Sequence, residues 1–394
     1  MRPSRHVARV LQQSVTRELD DPGAGPLALA PSAHPDRLRG LCEAAWFHGV
    51  VGYAHRAVDG DERVPEEERS RLASLRQRAV FFHLVVLSDL AFLREVFASS
   101  GIPWLVVKGP TLAVPVHGYA ELRSYSDIDV VVPAAQLGPA MDILERRGAR
   151  VVDRNWELIE QRLKGEVHLE LPSGTALDLH WHLLNDRPRR RTFPIDMDGL
   201  FQRAVTVDVG GLEVPSLADP DAVVYLALHT LHSGGHRLVW LKDLERLLTR
   251  PALPLDDVRE RAQQWHAELV LATAIGRVRH ALGGSPGGAA LAAGVRGGAW
   301  GHLTSLVWRL EPAQRQDGSP SLGRIVANAT REGQRASFAE LVRRASARLV
   351  RRGGRASGER FDETDPRSGR YAAGGDAARH RYLAAVAGEA QQLR

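Results

Sequence analysis

Asp127 and Asp129, separated by one apolar residue, open the run DIDVVV. Side chains alternate faces along a strand, so the two carboxylates share a face, roughly 6.5–7 Å apart at Cα, while Ile128 points the other way. Carboxylates side by side next to a buried run repel each other and are costly to desolvate, which calls for a cation. Oxygen ligands suit Mg2+ or Mn2+. The alternative is an acidic pair where a strand emerges into water. Upstream, 104–107 reads as a short buried strand ending at Lys108-Gly109-Pro110. Pro at a first helical position predicts a short helix over about 111–119, and Gly109 lets a phosphate approach its N-terminal N–H groups. Lys108, Lys164 and Lys242 are the only lysines among basic residues that are otherwise arginine, so Lys108 beside this turn is unlike filler.

The elements around these residues follow from pattern. Residues 166–171 and 175–182 read as a hairpin about Pro172-Ser173-Gly174. In ALDLHWHLL, alternation puts Asp178, His180 and His182 on one face and Leu177, Leu179 and Trp181 on the other. For His180 a catalytic role and a structural hydrogen bond to a neighbouring acid stay open; His182 reads as structural. Residues 1–35 start with a short helix and continue through Gly and Pro as a poorly ordered N-terminus. Residues 36–100 form an N-terminal helical region, with acids Glu66-Glu67-Glu68 at a helix start and apolar residues at helical spacing over 79–97. The core covers 101–217, including a helix over 137–147 and a hairpin over 205–214. A C-terminal helical domain covers 218–330, with Asp219 read as an N-cap before Pro220. His229 and His232, one turn apart, can bind a metal, cap or pack. Residues 331–394 read as a basic, partly disordered tail that contains a basic amphipathic helix over 336–352.

The strand, Lys108-Gly109 turn, short helix, Arg123 and Ser126-Asp127-Ile128-Asp129-Val130-Val131-Val132 together resemble the nucleotidyltransferase superfamily of the DNA polymerase β fold. Within it they are most similar to a branch of uncharacterised nucleotidyltransferases, in which Lys-Gly replaces Gly-Ser and an Arg precedes Asp-Ile-Asp. Asp178-Leu179-His180-Trp181 matches the acid-Leu-His-Trp of that branch, and Arg237, Trp240 and Asp243 match its Arg, Trp and Asp. The resemblance spans about 36–250. It implies an α+β fold: a polymerase β-type nucleotidyltransferase core, a mixed sheet with helices, flanked by N-terminal and C-terminal helical regions. Pro110 replaces the serine of Gly-Ser, which leaves phosphate binding to backbone N–H groups, Lys108 or Arg123.

The resemblance also implies a mechanism. Asp127, Asp129 and Asp178 are the expected catalytic residues and metal ligands, holding two Mg2+ ions about 3.5–4 Å apart, or Mn2+. Asp178 would serve the acceptor side, and Lys108 or Arg123 would neutralise the triphosphate. Gly109, Ser126, His180, Arg237 and Lys242 complete the expected nucleotide contacts, although helix-face ion pairs with Asp243 or Glu245 are an equal reading for Arg237 and Lys242. The expected reaction transfers a nucleoside monophosphate from an NTP such as ATP to a hydroxyl or phosphate of a small-molecule or peptide acceptor, releasing pyrophosphate. The branch often accompanies natural-product gene sets, which favours such an acceptor. The alternatives are a nucleotide-binding module without catalysis and a toxin-like tRNA or RNA nucleotidyltransferase.

Composition sets outer limits. The 394 residues are 44% apolar and 25% charged, as in globular chains. A single cysteine, Cys42, excludes an intramolecular disulfide and fits a cytoplasmic protein. Apolar runs stop short of a membrane span, and no signal-peptide core is visible. The net charge is +5, but residues 331–394 alone hold 14 Arg against 8 acids. The catalytic region therefore lacks a basic stripe, and a nucleic-acid partner is not favoured.

Overall fold

Strand-forming residues alternate with helical segments between 101 and 217, and they assemble into one mixed sheet. The computed structural model describes residues 2–16, 35–293, 295, 297–353 and 375–393. The sheet has seven strands in the order β3-β4-β5-β2-β1-β7-β6. These are β1 (Leu105–Val106), β2 (Asp127–Val131), β3 (Arg150–Val151), β4 (Glu166–Glu170), β5 (Ala176–His180), β6 (Val205–Asp208) and β7 (Glu213–Ser216). β2 lies antiparallel to β1 and parallel to β5, and β4 and β5 form the expected hairpin. No helix among the described residues is long and apolar enough to cross a membrane.

The two faces of the sheet differ because the side-chain period is two. Ile128, Val130, Val167, Leu177 and Leu179 are fully buried on one face. They pack on Val86, Leu90 and Phe97 of the helix Glu66–Ser100, Met141 and Leu144 of the helix Leu137–Arg146, and Tyr382 and Val386 of the helix Asp376–Gln392. Full burial of each such aliphatic side chain contributes about 1.5–3 kcal/mol. The helix Glu66–Ser100 runs unbroken for 35 residues, ends at Gly101, and its Glu68 accepts hydrogen bonds from Gly40 N and Cys42 N at 2.7 Å each.

One hydrophobic core runs across the helical regions on both sides of the sheet-forming segment. Val7, Leu11 and Val15 of the helix Arg5–Thr16 share one core with Tyr53, Leu112, Leu228, Leu241 and Ile275. Gln12 also donates to Ala281 O at 3.0 Å. Residues 17–34, the bulk of the expected disordered N-terminus, lie outside the described residues. Asp219 is not an N-cap: it is the first residue of the helix Asp219–His232, and its carboxylate binds Arg250 at 2.6 Å. The stretch 331–394 is described only in part. Its described part forms the helices Gln334–Gly353 and Asp376–Gln392. The second of these belongs to the sheet core, with Tyr382 fully buried. The buried Ala378, Tyr382 and Val386 recur at helical spacing, but alanines on the exposed face as well mute that pattern in the sequence. Residues 354–374, also read as disordered, lie outside the described residues.

Candidate active site

Register assembles the site. β2 and β5 pair with Asp129 opposite Asp178, and β4 and β5 pair with His168 opposite Asp178 and Glu166 opposite His180. Since opposite residues in a sheet share a face, Asp127, Asp129, Asp178, His180, His168 and Glu166 all project from the face opposite Ile128 and Val130, the face on which Leu105 and Val131 join the core of the helical regions. Tyr225 and His229 of the helix Asp219–His232 lie against it: the Lys108 ammonium is 5.8 Å from the Tyr225 ring centroid. Single ligand atoms of Asp129, Asp178 and His180 lie within 4.8 Å of one another, a group able to hold a metal ion. Asp127 borders this group without joining it.

Lys108 Nζ is 2.8 Å from Asp129 Oδ1, and His180 Nε2 donates to the same oxygen at 3.1 Å. Burial opposes both charges, yet this contact holds the Lys108 pKa above its usual value and the Asp129 carboxyl below its own. Burial also opposes protonation of His180, but its bond to Asp129 and the nearby Glu166, 3.4 Å from Nδ1, outweigh that and raise its pKa. The other two aspartates behave differently. Burial, then the charges of Asp129 and Asp178, push Asp127 up to about 6. Burial and then Asp129 push Asp178 up to about 7, although His168 Nδ1 donates to it. The cluster thus carries more negative charge than Lys108 neutralises. His229 is held down to about 3, first by burial and then by Lys108, and stays neutral.

The Lys108-Gly109 turn depends on glycine. Gly109 has φ 58°, and a Cβ there would lie 3.3 Å from Asp127 O and 3.4 Å from the Tyr125 ring. The helix that follows is Pro110–His117. Its first N–H groups are already used: Thr111 N bonds Lys108 O, and Leu112 N and Ala113 N bond Gly109 O. The cationic side chain of Lys108 is therefore the turn's main offering to a phosphate.

Arg123 is committed elsewhere. Its Nε and Nη2 bind the two oxygens of buried Asp243 at 2.8 and 3.0 Å, while Nη1 donates to Gly109 O at 3.4 Å. Asp243 also accepts from His117 Nε2 at 2.8 Å, and His117 Nδ1 accepts from Tyr53 O–H at 2.7 Å. The arginine thereby supports the turn from beneath. Arg237 donates through Nε to Phe47 O at 2.7 Å and lies over Trp240. Asp127 is among the charges it feels, and among the described residues no carboxylate pairs with it. Lys242 meets Glu245 at 2.7 Å, the ion-pair reading. Ser126 is exposed where β2 begins. His182 leaves the site: β5 ends at His180, and His182 Nδ1 accepts from Leu184 N at 3.0 Å. His229 and His232 diverge, His229 toward Lys108 and His232 toward Phe193, so they form no metal pair.

Glu166, His168 and Tyr225 escaped the sequence reading. The first two were within reach, since counting outward from the Pro172-Ser173-Gly174 turn pairs them with His180 and Asp178. Tyr225 gave no local signal.

A mixed sheet presenting in-register aspartates beside a Lys-Gly turn is the layout of an α+β nucleotidyltransferase. The family model described as uncharacterised nucleotidyltransferase matches residues 32–283, and the chain belongs to this family. It is accordingly a transferase enzyme. No curated protein matches the chain.

Proposed function

We propose that this enzyme transfers a nucleoside monophosphate from an NTP to a hydroxyl or phosphate of a small-molecule or peptide acceptor, releasing pyrophosphate, with Mg2+ as its cation and Mn2+ as a substitute. The observation that carries this reading is the β2–β5 register that sets Asp129 beside Asp178, with Lys108 2.8 Å from Asp129. The donor set fits a hard divalent cation: three carboxylates and one imidazole, with Asp127 and Asp178 pushed up to about 6 and about 7 by burial and crowding that a cation would relieve. Asp129, Asp178 and His180 would hold it, with Asp127 at the rim; when bound, it supplies charge neutralisation on the triphosphate and acidifies the acceptor.

The chain's own residues do the rest. The acceptor oxygen attacks the α-phosphorus, the new P–O bond forms as the bond to pyrophosphate breaks, and Asp178 takes the acceptor's proton. His168, hydrogen-bonded to Asp178, orients that carboxyl. Lys108 meets the negative charge that builds on the phosphates, and Arg237, free of a carboxylate partner among the described residues, serves the pyrophosphate end. Arg123 works through Gly109 and does not touch phosphate.

The test incubates the wild type and its Asp127→Asn/Asp129→Asn variant with each α-labelled NTP, Mg2+ and extracts containing small molecules, peptides and tRNA. Label should move to an acceptor with the wild type, and transfer should fall by at least about 1,000-fold in the variant with folding intact. Undiminished transfer by the variant would remove these aspartates from the chemistry.

A further inference from the structure

Arginines crowd a groove behind the site. The helices Leu322–Ala329 and Gln334–Gly353 enclose a cavity of about 360 Å3 lined by Arg324, Asn328, Arg343 and Arg344. Asn328 Oδ1 accepts from Arg189 at 3.3 Å, which brings a further guanidinium to the rim. Charge there is out of balance. Glu340 alone takes Arg331 at 2.8 Å, Arg343 at 2.6 Å and Arg344 at 2.6 Å. Among the described residues, the Arg324 side chain donates to carbonyl oxygens alone, those of Gly318 and Ser319. Arg189 pairs with Asp186, a carboxylate 53% exposed and weakened by water.

A buried histidine lies close enough to feel these arginines. His232 is 8% exposed and both ring nitrogens are buried without a hydrogen-bond partner. Burial first, and then Arg189 and Arg331, hold it neutral. A neutral imidazole adds no positive charge near these arginines, and its ring packs on Phe193 outside the lining of the cavity. His229, one turn earlier on that helix, faces Lys108, so this helix feels both the carboxylate site and the arginines near the groove.

We infer that the groove between these two helices is a second anion site, built for phosphate groups and separate from the carboxylate cluster. Guanidinium forks match phosphate oxygens bidentately, and the N–H groups of Arg343 and Arg344 that Glu340 leaves unused border the cavity. The volume exceeds what one phosphate needs and suits several linked ones. The ligand is a phosphorylated small molecule or the phosphodiester backbone of single-stranded RNA, which share this chemistry. The inference goes beyond nucleotidyl transfer and does not depend on it, because binding is measured without turnover.

The experiment titrates the full chain, in EDTA at low salt, with tripolyphosphate by calorimetry and with a labelled eight-nucleotide RNA by anisotropy. Wild type should bind at least one of them, and Arg343→Ala/Arg344→Ala should weaken it by about tenfold or more with Tm unchanged. Arg343→Glu alone, at a side chain 66% exposed, should do the same in a chain certain to fold. RNA binding about tenfold tighter than tripolyphosphate, with a steep salt dependence, would assign the site to nucleic acid; comparable binding would assign it to small phosphorylated ligands. Failure of both probes to bind wild type, or binding indifferent to both variants, would overturn the site.

Discussion

Asp178 and Asp127 make stability depend on pH in an unusual direction. Burial and neighbouring carboxylates raise them to about 7 and about 6, so over roughly pH 4–7 the folded chain holds protons that the unfolded chain has released. These two carboxyls therefore take stability from the cation-free protein as pH rises through that window. Asp129 acts oppositely: held low by Lys108 and His180 despite burial, its stabilising contribution is present above about pH 4 and is lost only in acid. Buried neutral histidines such as His48 and His229 work the other way over the same range, so the comparison is with Asp127→Asn/Asp178→Asn: in EDTA the Tm of wild type should fall relative to that variant between pH 5 and pH 8, and Mg2+ or Mn2+ should raise the wild-type Tm more at pH 8 than at pH 5. An equal rise at both pH values would show that the cation binds elsewhere. Asp127, Asp129 and Asp178 were legible in the sequence because a strand's period of two follows from covalent geometry. The partner of Arg123 was not, because Asp243 lies 120 residues away and no local pattern announces it.

At the scale of elements, the Lys108-Gly109 turn joins the backbone of β1 to that of β2. Gly109→Ala adds a Cβ at 3.3 Å from Asp127 O at a positive φ, so it should cost about 1–2 kcal/mol and shift Asp127 with the turn. Denaturant unfolding together with Mn2+ affinity checks both parts. Full stability with weakened Mn2+ binding would mean that the strain is taken up by moving the site; full stability with unchanged binding would mean that the turn does not constrain Asp127. The hairpin β4–β5 and the helix starting at residue 110 could be read from Pro, Gly and alternation alone. What that reading omitted was the competition for N–H groups: Thr111, Leu112 and Ala113 satisfy theirs within the turn, so the expected backbone phosphate cradle narrows to a lysine.

At the scale of the molecule, the helix Asp376–Gln392 closes the sheet core from the far end of the chain. Tyr382 donates to Lys164 O at 2.8 Å and accepts from Trp181 Nε1 at 3.2 Å, with its ring fully buried. Tyr382→Ala should cost about 3 kcal/mol or more, and deleting 375–394 should cost more still, measured by denaturant unfolding. A truncated chain of undiminished stability would make the helix dispensable. Loss of activity on cutting away the basic end consequently cannot by itself report on RNA. Composition showed the charge of this segment but not its role, because an Ala-rich helix carries little periodic contrast. The Tyr382–Trp181 contact spans 201 residues of sequence. On a ribosome, the strands bearing the catalytic aspartates emerge long before the helix that covers their apolar face. The nascent chain must carry that face uncovered while about 200 further residues are made, which predisposes this enzyme to slow maturation and to reliance on chaperones during synthesis.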